Sequence, residues 1–279
     1  NTIIKQNSYS NGGGVQVADS DIHFFNVLID SNISNSHGGG IYLDNSQATF
    51  DNVIISNNSA NNEGGGLYNT SSSKSAITNS LFFKNSANSA GGAVYNCSNC
   101  EIKTDSTDFI NNHTGYYAGA LYNGGGLYTI KHANIDSNTA SQSGGGIYST
   151  SGSINDVPDT LLNIKVQYNS ADYSGGGIYL SDYQSVFSEN LLVANNSVGL
   201  ANNNSTTYGG GLYLNFNNNS LDSYFKNVTI TKNIAHANNT SFGGGIYNNG
   251  HSRYYFINSI VWHNSADQGT EAYSISYDR

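Results

Sequence analysis

Asn32-Ile33-Ser34-Asn35-Ser36-His37-Gly38-Gly39-Gly40-Ile41-Tyr42 is the stretch on which the reading of this 279-residue chain turns. Its second half, three glycines, an aliphatic residue and a tyrosine, recurs ending at Tyr68, Tyr148, Tyr179, Tyr213 and Tyr247, with variants at Gln16, Tyr95 and Tyr122 and a degenerate copy at Tyr273. From Gln16 onward the steps are 26, 26, 27, 27, 26, 31, 34, 34 and 26 residues. Its first residue belongs to a second tract in the same register, an apolar residue three positions before an asparagine. That tract supplies Asn7, Asn32, Asn58, Asn85, Asn112, Asn138, Asn169, Asn196, Asn233 and Asn264, and from Asn32 to Asn169 each lies ten residues before its tyrosine. The ten-residue rule exposes a decoy. Gly124-Gly125-Gly126-Leu127-Tyr128 imitates the tract but falls out of register, so the true rung is Ala118-Gly119-Ala120-Leu121-Tyr122.

A fixed period of this size marks a repeat architecture. Short β-favouring runs such as Ala48-Thr49-Phe50 and Tyr254-Tyr255-Phe256 lie between the tracts, and helix signals are lacking. The pattern predicts an all-β, right-handed parallel β-helix of about nine coils, roughly 26 residues and three short strands each, with residues 1–279 forming a single solenoid. Side chains alternate along a strand, so the aliphatic residue before each tyrosine faces inward and the tyrosine outward. The glycines suit a corner that needs positive φ or close backbone approach. The asparagines are expected at the opposite corner as a buried, mutually hydrogen-bonded ladder.

Composition narrows the function. Glycine is abundant (32), proline nearly absent (1), and only 10 % of residues are charged, yet 21 tyrosines and 11 phenylalanines supply apolar surface that a disordered chain would leave unburied. A net charge of −9 with ten scattered Lys and Arg argues against nucleic acid or an anionic membrane as partner. No apolar run approaches the roughly 18 residues of a membrane span.

Gly91-Gly92-Ala93-Val94 together with Phe82-Phe83-Lys84-Asn85, and also Phe109-Ile110-Asn111-Asn112, resembles the passenger repeats of the chlamydial polymorphic outer membrane proteins, which are autotransporter-like adhesins. Most other rungs carry glycine where that family has alanine, add a tyrosine after the aliphatic residue, and often replace Phe by Ile or Val. The resemblance runs along the whole chain. It implies the fold, an extracellular or cell-surface location and, as the family's activity, adhesion.

Parallel β-helices also carry polysaccharide lyases and hydrolases, which need two carboxylates about 5–9 Å apart. Asp30 and Asp136 share a column but stand four rungs apart, and the only arginines are Arg253 and Arg279, so no catalytic residues are assigned. His37 and Glu63 occupy one column on adjacent rungs and could touch, but the column is varied, as at a solvated corner. Cys97 and Cys100 lack the second pair that a zinc site needs. In an oxidising exterior they form a small loop disulfide; two free thiols are the alternative. No metal or cofactor is expected. Twelve Asn-x-Ser/Thr sequons, among them Asn69, Asn203, Asn227 and Asn238, are near what 44 asparagines would produce by chance.

The candidate binding surface is the outward tyrosine stripe, in particular Tyr179, Tyr213 and Tyr247, with Tyr208 and Phe242 at the base of two expanded connections, Val198–Thr207 and Ala235–Ser241. Stacked aromatics also stabilise adjacent strands without any ligand. The reading is an extracellular structural or adhesive solenoid, a surface adhesin or a building block of a filament or surface layer. Its alternative is a carbohydrate-binding or polysaccharide-cleaving module. The chain starts inside a coil, with Ile4 and Asn7 in register, and ends six residues after Tyr273, with at most a weak cap at Gly269-Thr270-Glu271. The expected partners are therefore continuing repeats of a longer chain or copies stacked head to tail, besides host-cell or matrix glycans or proteins.

Overall fold

The structure is a computed structural model, which describes residues 2–150, 157–181, 185–199, 205–215, 222–250 and 253–274. Every strand pairing is parallel and joins a strand to its equivalent one coil away, as in Ile41↔Leu67, Tyr42↔Tyr68 and Phe82↔Phe109. The chain is thus a parallel β-solenoid of about nine turns.

Three faces surround one core. The tyrosine face stacks strands such as Ile41–Asp44, Leu67–Thr70 and Ile147–Thr150. The long face carries two strands per coil, for example Gln47–Asp51 and Ile54–Ser56, joined in one sheet. The short face stacks two-residue strands such as Ser59–Ala60. Most coils therefore hold four strands on three faces, where three strands were expected. The extra break starts at one left-handed residue, Asn26, Asn52, Asn79, Ser106, His132, Asn227 or Asn258, and Asn163 and Asn190 take the same conformation inside the strands Asp159–Gln167 and Val186–Ala194, which run unbroken through the corner, all near φ +50°. Asparagine tolerates this left-handed conformation better than other non-glycine residues, and its amides link outward along the corner: Asn52 Nδ2 donates to Asn26 Oδ1 at 2.6 Å and Asn190 Nδ2 to Asn163 Oδ1 at 2.8 Å. Seven of the 44 asparagines stand in this second, mostly exposed row.

The buried asparagine row lies at the turn from long to short face. Each amide nitrogen donates to the Oδ1 of the next rung at 2.9–3.1 Å, for example Asn112 to Asn138 at 3.0 Å and Asn138 to Asn169 at 2.9 Å. Its other proton goes to a backbone carbonyl of the previous coil, as from Asn138 to Phe109 O at 2.9 Å. Each Oδ1 also accepts the backbone N–H of the preceding asparagine, at 2.9 Å between Asn112 and Asn138. Two donors and two lone pairs are thereby used, the full capacity of the group. Asn32 to Asn233 are wholly buried, and Asn264 is 7 % exposed. Asn7 departs from the expectation of burial. It donates to Asn32 Oδ1 at 3.0 Å but is exposed. At the far end Asn264 Nδ2 donates to Glu271 Oε2 at 2.7 Å, so a carboxylate stands where another amide would follow.

The glycine corner faces the ladder. The first glycine is left-handed, with φ +67° at Gly38 and +70° at Gly144, and Ala118 takes φ +61° at the same place. A Cβ on the second glycine would strike backbone: on Gly145 it would lie 2.2 Å from Gly176 O. Tyr128 of the decoy tract sits fully buried on the long face, paired with Ile102, while Tyr122 pairs with Tyr95. Aliphatic and aromatic columns fill the interior, among them Ile29, Ile55, Phe82, Phe109, Ile135 and Val166.

Asn138→Ala leaves Asn112 and the Phe109 carbonyl short of partners inside the core, so denaturant unfolding should show a loss of roughly 1–3 kcal/mol, whereas Asn7→Ala should be close to neutral. Gly145→Ala forces two backbones apart and should cost about 3 kcal/mol in the same assay; a wild-type midpoint would refute the close approach.

Candidate functional site

Nine tyrosines stack along the tyrosine face, Tyr42, Tyr68, Tyr95, Tyr122, Tyr148, Tyr179, Tyr213, Tyr247 and Tyr273. The tightest steps are Tyr148–Tyr179 and Tyr179–Tyr213, with ring centroids 4.4 and 4.5 Å apart and planes within 7° and 6°. The cause is local: the in-register strands repeat one rotamer at strand spacing, and glycine on the preceding turn leaves room for the ring. The column points away from the core as expected, yet it is half-buried, because each ring covers the face of the next.

That geometry limits what the column can bind. A sugar stacks on the face of an aromatic ring, and here the faces are used within the column, leaving ring edges and hydroxyls outward. Burial in the stack, with the Glu63 carboxylate nearby, pushes the Tyr68 phenol up to about 12. Burial likewise raises Tyr95, Tyr122 and Tyr148. At neutral pH these four phenols are protonated.

A second column, five residues before each tyrosine, flanks the first. Bridges Glu63↔Ala90, Ala90↔Tyr117, Ser143↔Ser174 and Ser174↔Tyr208 keep it in register. Its large members lean onto the tyrosine of the following rung: His37 on Tyr68 at 4.6 Å, Tyr117 on Tyr148 at 4.8 Å, Tyr208 on Tyr247 at 4.7 Å and Phe242 on Tyr273 at 4.8 Å. His37 Nδ1 also lies 3.2 Å from Glu63 Oε2, with both side chains about three-quarters covered.

The structure brings Tyr208 and Phe242 together, stacked at 5.7 Å on an extra pair of strands, Thr207–Tyr208 and Ser241–Phe242. The two expanded connections approach each other there, with Thr207 Oγ1 donating to His236 O at 3.1 Å and Thr207 N to Thr240 O at 3.3 Å. Residues 200–204 of the first connection, Asn203 included, lie outside the described residues, as does Arg279. Tyr213 and Tyr247 are only 8 % and 4 % exposed, so these two cannot offer surface to a ligand. Tyr179, Tyr208 and Phe242 keep partial exposure.

Elsewhere Cys97 and Cys100 are joined as a disulfide across the turn that follows Val94–Asn96. Asp30 and Asp136 remain four rungs apart by strand register. No group of three His, Cys, Asp or Glu residues able to hold a metal occurs among the described residues, and no helix there is long and apolar enough to cross a membrane. Asn227 and Asn238 are exposed, whereas Asn69 is wholly buried and closed to modification.

Asn69 belongs to an interior polar row that the sequence reading passed over. Asn69 Nδ2 donates to Asn96 Oδ1 at 3.3 Å, Asn96 to Asn123 at 2.9 Å, Asn123 to Ser149 Oγ at 3.2 Å, and Ser149 to Asp159 Oδ2 at 3.3 Å. The signal was available in the residue after each tyrosine, which changes from Leu43 to Asn69, Asn96, Asn123 and Ser149 and back to Leu180. Asp159 closes the row at 2 % exposure, its Oδ1 accepting the Tyr128 N–H at 3.1 Å. Burial pushes its carboxyl far above the ordinary range, against the lowering effect of these hydrogen bonds.

Residues 52–70 and 79–97 match the family model described as Chlamydia polymorphic membrane protein (Chlamydia_PMP) repeat. The likeness is to a repeat unit, over these two stretches of 19 residues each. Each matched stretch starts at a left-handed corner asparagine, Asn52 or Asn79, and runs through a ladder asparagine and a glycine corner to Tyr68 or Tyr95. The other coils repeat the same geometry, with Phe109 or an Ile or Val at the position that Ile55 and Phe82 hold in the matched stretches. No curated protein and no solved structure matches the chain.

A carboxyl whose folded pKa is raised stabilises fully below its unfolded value of about 4 and loses that contribution as pH rises. Asp159→Asn should therefore unfold at a higher urea concentration than wild type at alkaline pH, with the gap closing as pH falls towards 4. A gap independent of pH would contradict a buried, uncompensated carboxyl.

Proposed function

We propose that this chain is an extracellular, surface-displayed β-solenoid whose work is adhesion, with its contact surface where Tyr208 and Phe242 meet the two expanded connections. The observation that carries the reading is the extra strand pair Thr207–Tyr208 and Ser241–Phe242, which interrupts an otherwise uniform surface. It brings the described ends of two long connections together beside the aromatic column, and insertions gathered on one face of a repeat protein are often its binding face. The polymorphic-membrane-protein-type repeats support the surface location. The tyrosine column itself serves as scaffold in this reading, because its ring faces are already occupied. Glycans or proteins of a host cell or matrix are the partners proposed.

The test shortens both connections to the length of the Asn169–Tyr179 arc and probes the folded variant on immobilised glycans, matrix proteins and whole cells. Binding by the parent chain that falls to background in the variant supports the reading. Unchanged binding would move the site elsewhere, and release of reducing or unsaturated ends from a polysaccharide panel would favour the carbohydrate-cleaving alternative.

A further inference from the structure

The tyrosine column combines three features that adhesion does not use: like residues on nine consecutive rungs, near-parallel planes, and rings that keep partial exposure from Tyr42 to Tyr179. Consecutive rings from Tyr42 to Tyr213 lie 4.4–5.4 Å apart with interplanar angles of 6–18°. Stacking close to a pure translation sets equivalent ring carbons above one another at about the ring spacing. We infer that the tyrosine column is a site of oxidative phenol coupling, at which a one-electron oxidant joins consecutive rungs as dityrosine and ties adjacent coils covalently. This inference is independent of any binding at Tyr208 and Phe242.

The chemistry balances as follows. Each of two neighbouring phenols gives one electron to the oxidant, a metal-centred or haem-peroxidase-type acceptor, and its hydroxyl proton to water at the exposed edge. The two phenoxyl radicals form a carbon–carbon bond between ring positions ortho to the oxygens. The hydrogens on those carbons then move to the oxygens as the rings regain aromaticity. Two phenols become one biphenol, with the loss of two protons and two electrons. Holding the reactants side by side replaces the slow meeting of two radicals in solution by a neighbour reaction. The phenols of Tyr68, Tyr95, Tyr122 and Tyr148 remain protonated in ordinary buffers, so each has the hydrogen that the step removes.

Tyr9 and Tyr168 supply the internal comparison. They are 61 % and 57 % exposed and lie outside the column, and the strand register gives Tyr168 the neighbours Ser137 and Asn195. If exposure governed oxidation, these two would lead; if stacking governs the coupling, the column leads.

The experiment oxidises the dilute chain with photo-excited tris(bipyridyl)ruthenium and persulfate, isolates the monomer by size exclusion, and maps dityrosine by fluorescence and peptide mass spectrometry. Within the monomer, links between consecutive column residues, with Tyr148–Tyr179 foremost, should be at least about tenfold more frequent than links that include Tyr9 or Tyr168. The double variant Tyr148→Phe, Tyr213→Phe keeps the stack but removes both coupling partners of Tyr179. Its Tyr179 links should fall to background while Tyr42–Tyr68 and Tyr95–Tyr122 links persist, which reports that the solenoid is still folded. Oxidation in urea should erase the selectivity. Monomer links spread evenly over all tyrosines, or dityrosine confined to chain-to-chain links through Tyr9 and Tyr168, would overturn the inference.

Discussion

The hydrogen bond from one asparagine amide to the next is the constraint on which this solenoid depends. A coil of about 26 residues buries too little to hold its own shape, so its geometry has to be copied from the coil beside it. Backbone ladders copy the strands, but corners carry polar groups that strands do not pair. At the turn from long to short face, one side chain ties the backbone N–H of its own rung and a carbonyl of the previous coil to the next rung. The tie holds whether the sequence interval between rungs is 25 residues, as from Asn7 to Asn32, or 37, as from Asn196 to Asn233. Insertions can therefore swell outward at the surface while the register of the core is undisturbed.

Left-handed residues are the complementary device. Straight strands alone would not close a coil, and a single residue at positive φ turns the chain without adding a loop. Glycine fills the corner where neighbouring backbones crowd, as at Gly145, and asparagine fills the roomier corner at Asn52 and Asn163, where its side chain points to solvent and links to its equivalent on the next coil. Ala118 occupies a glycine site at φ +61° and shows that the coil imposes the conformation even on a residue that disfavours it.

Stacking of like on like explains both the strength and the limits of the outer surface. A column of identical tyrosines gains ring contact at every step, but it spends the ring faces that a glycan would need. The pattern breaks where the flanking column meets the expanded connections, at the partly exposed Tyr208 and Phe242. The same copying inside the barrel permits a run of polar residues from Asn69 to Ser149, because each finds a partner one coil away. The run ends at Asp159, the one member whose charge the interior does not support.

By itself the sequence determined the repeat, its register and its core, because each coil meets only its neighbours and one period then stands for nearly the whole structure. The ladder positions, the decoy at Tyr128, and the outward direction of the tyrosines were legible from spacing alone. Two further columns were legible in the same way, the corner asparagines headed by Asn26 and the interior row headed by Asn69, but they carry no motif and stand out only once the coils are laid over one another. Tertiary structure alone decided how exposed each tyrosine is. Tyr42 and Tyr247 occupy the same position of the repeat, yet Tyr247 is buried, with Tyr208 of the preceding coil and Phe242 of its own both packed against it. That cover depends on which side chain an adjacent coil presents and on where it leans, neither of which a residue's own repeat encodes. It likewise took the folded stack to set Ser149 against Asp159, ten residues apart in sequence, and so to bury a carboxyl.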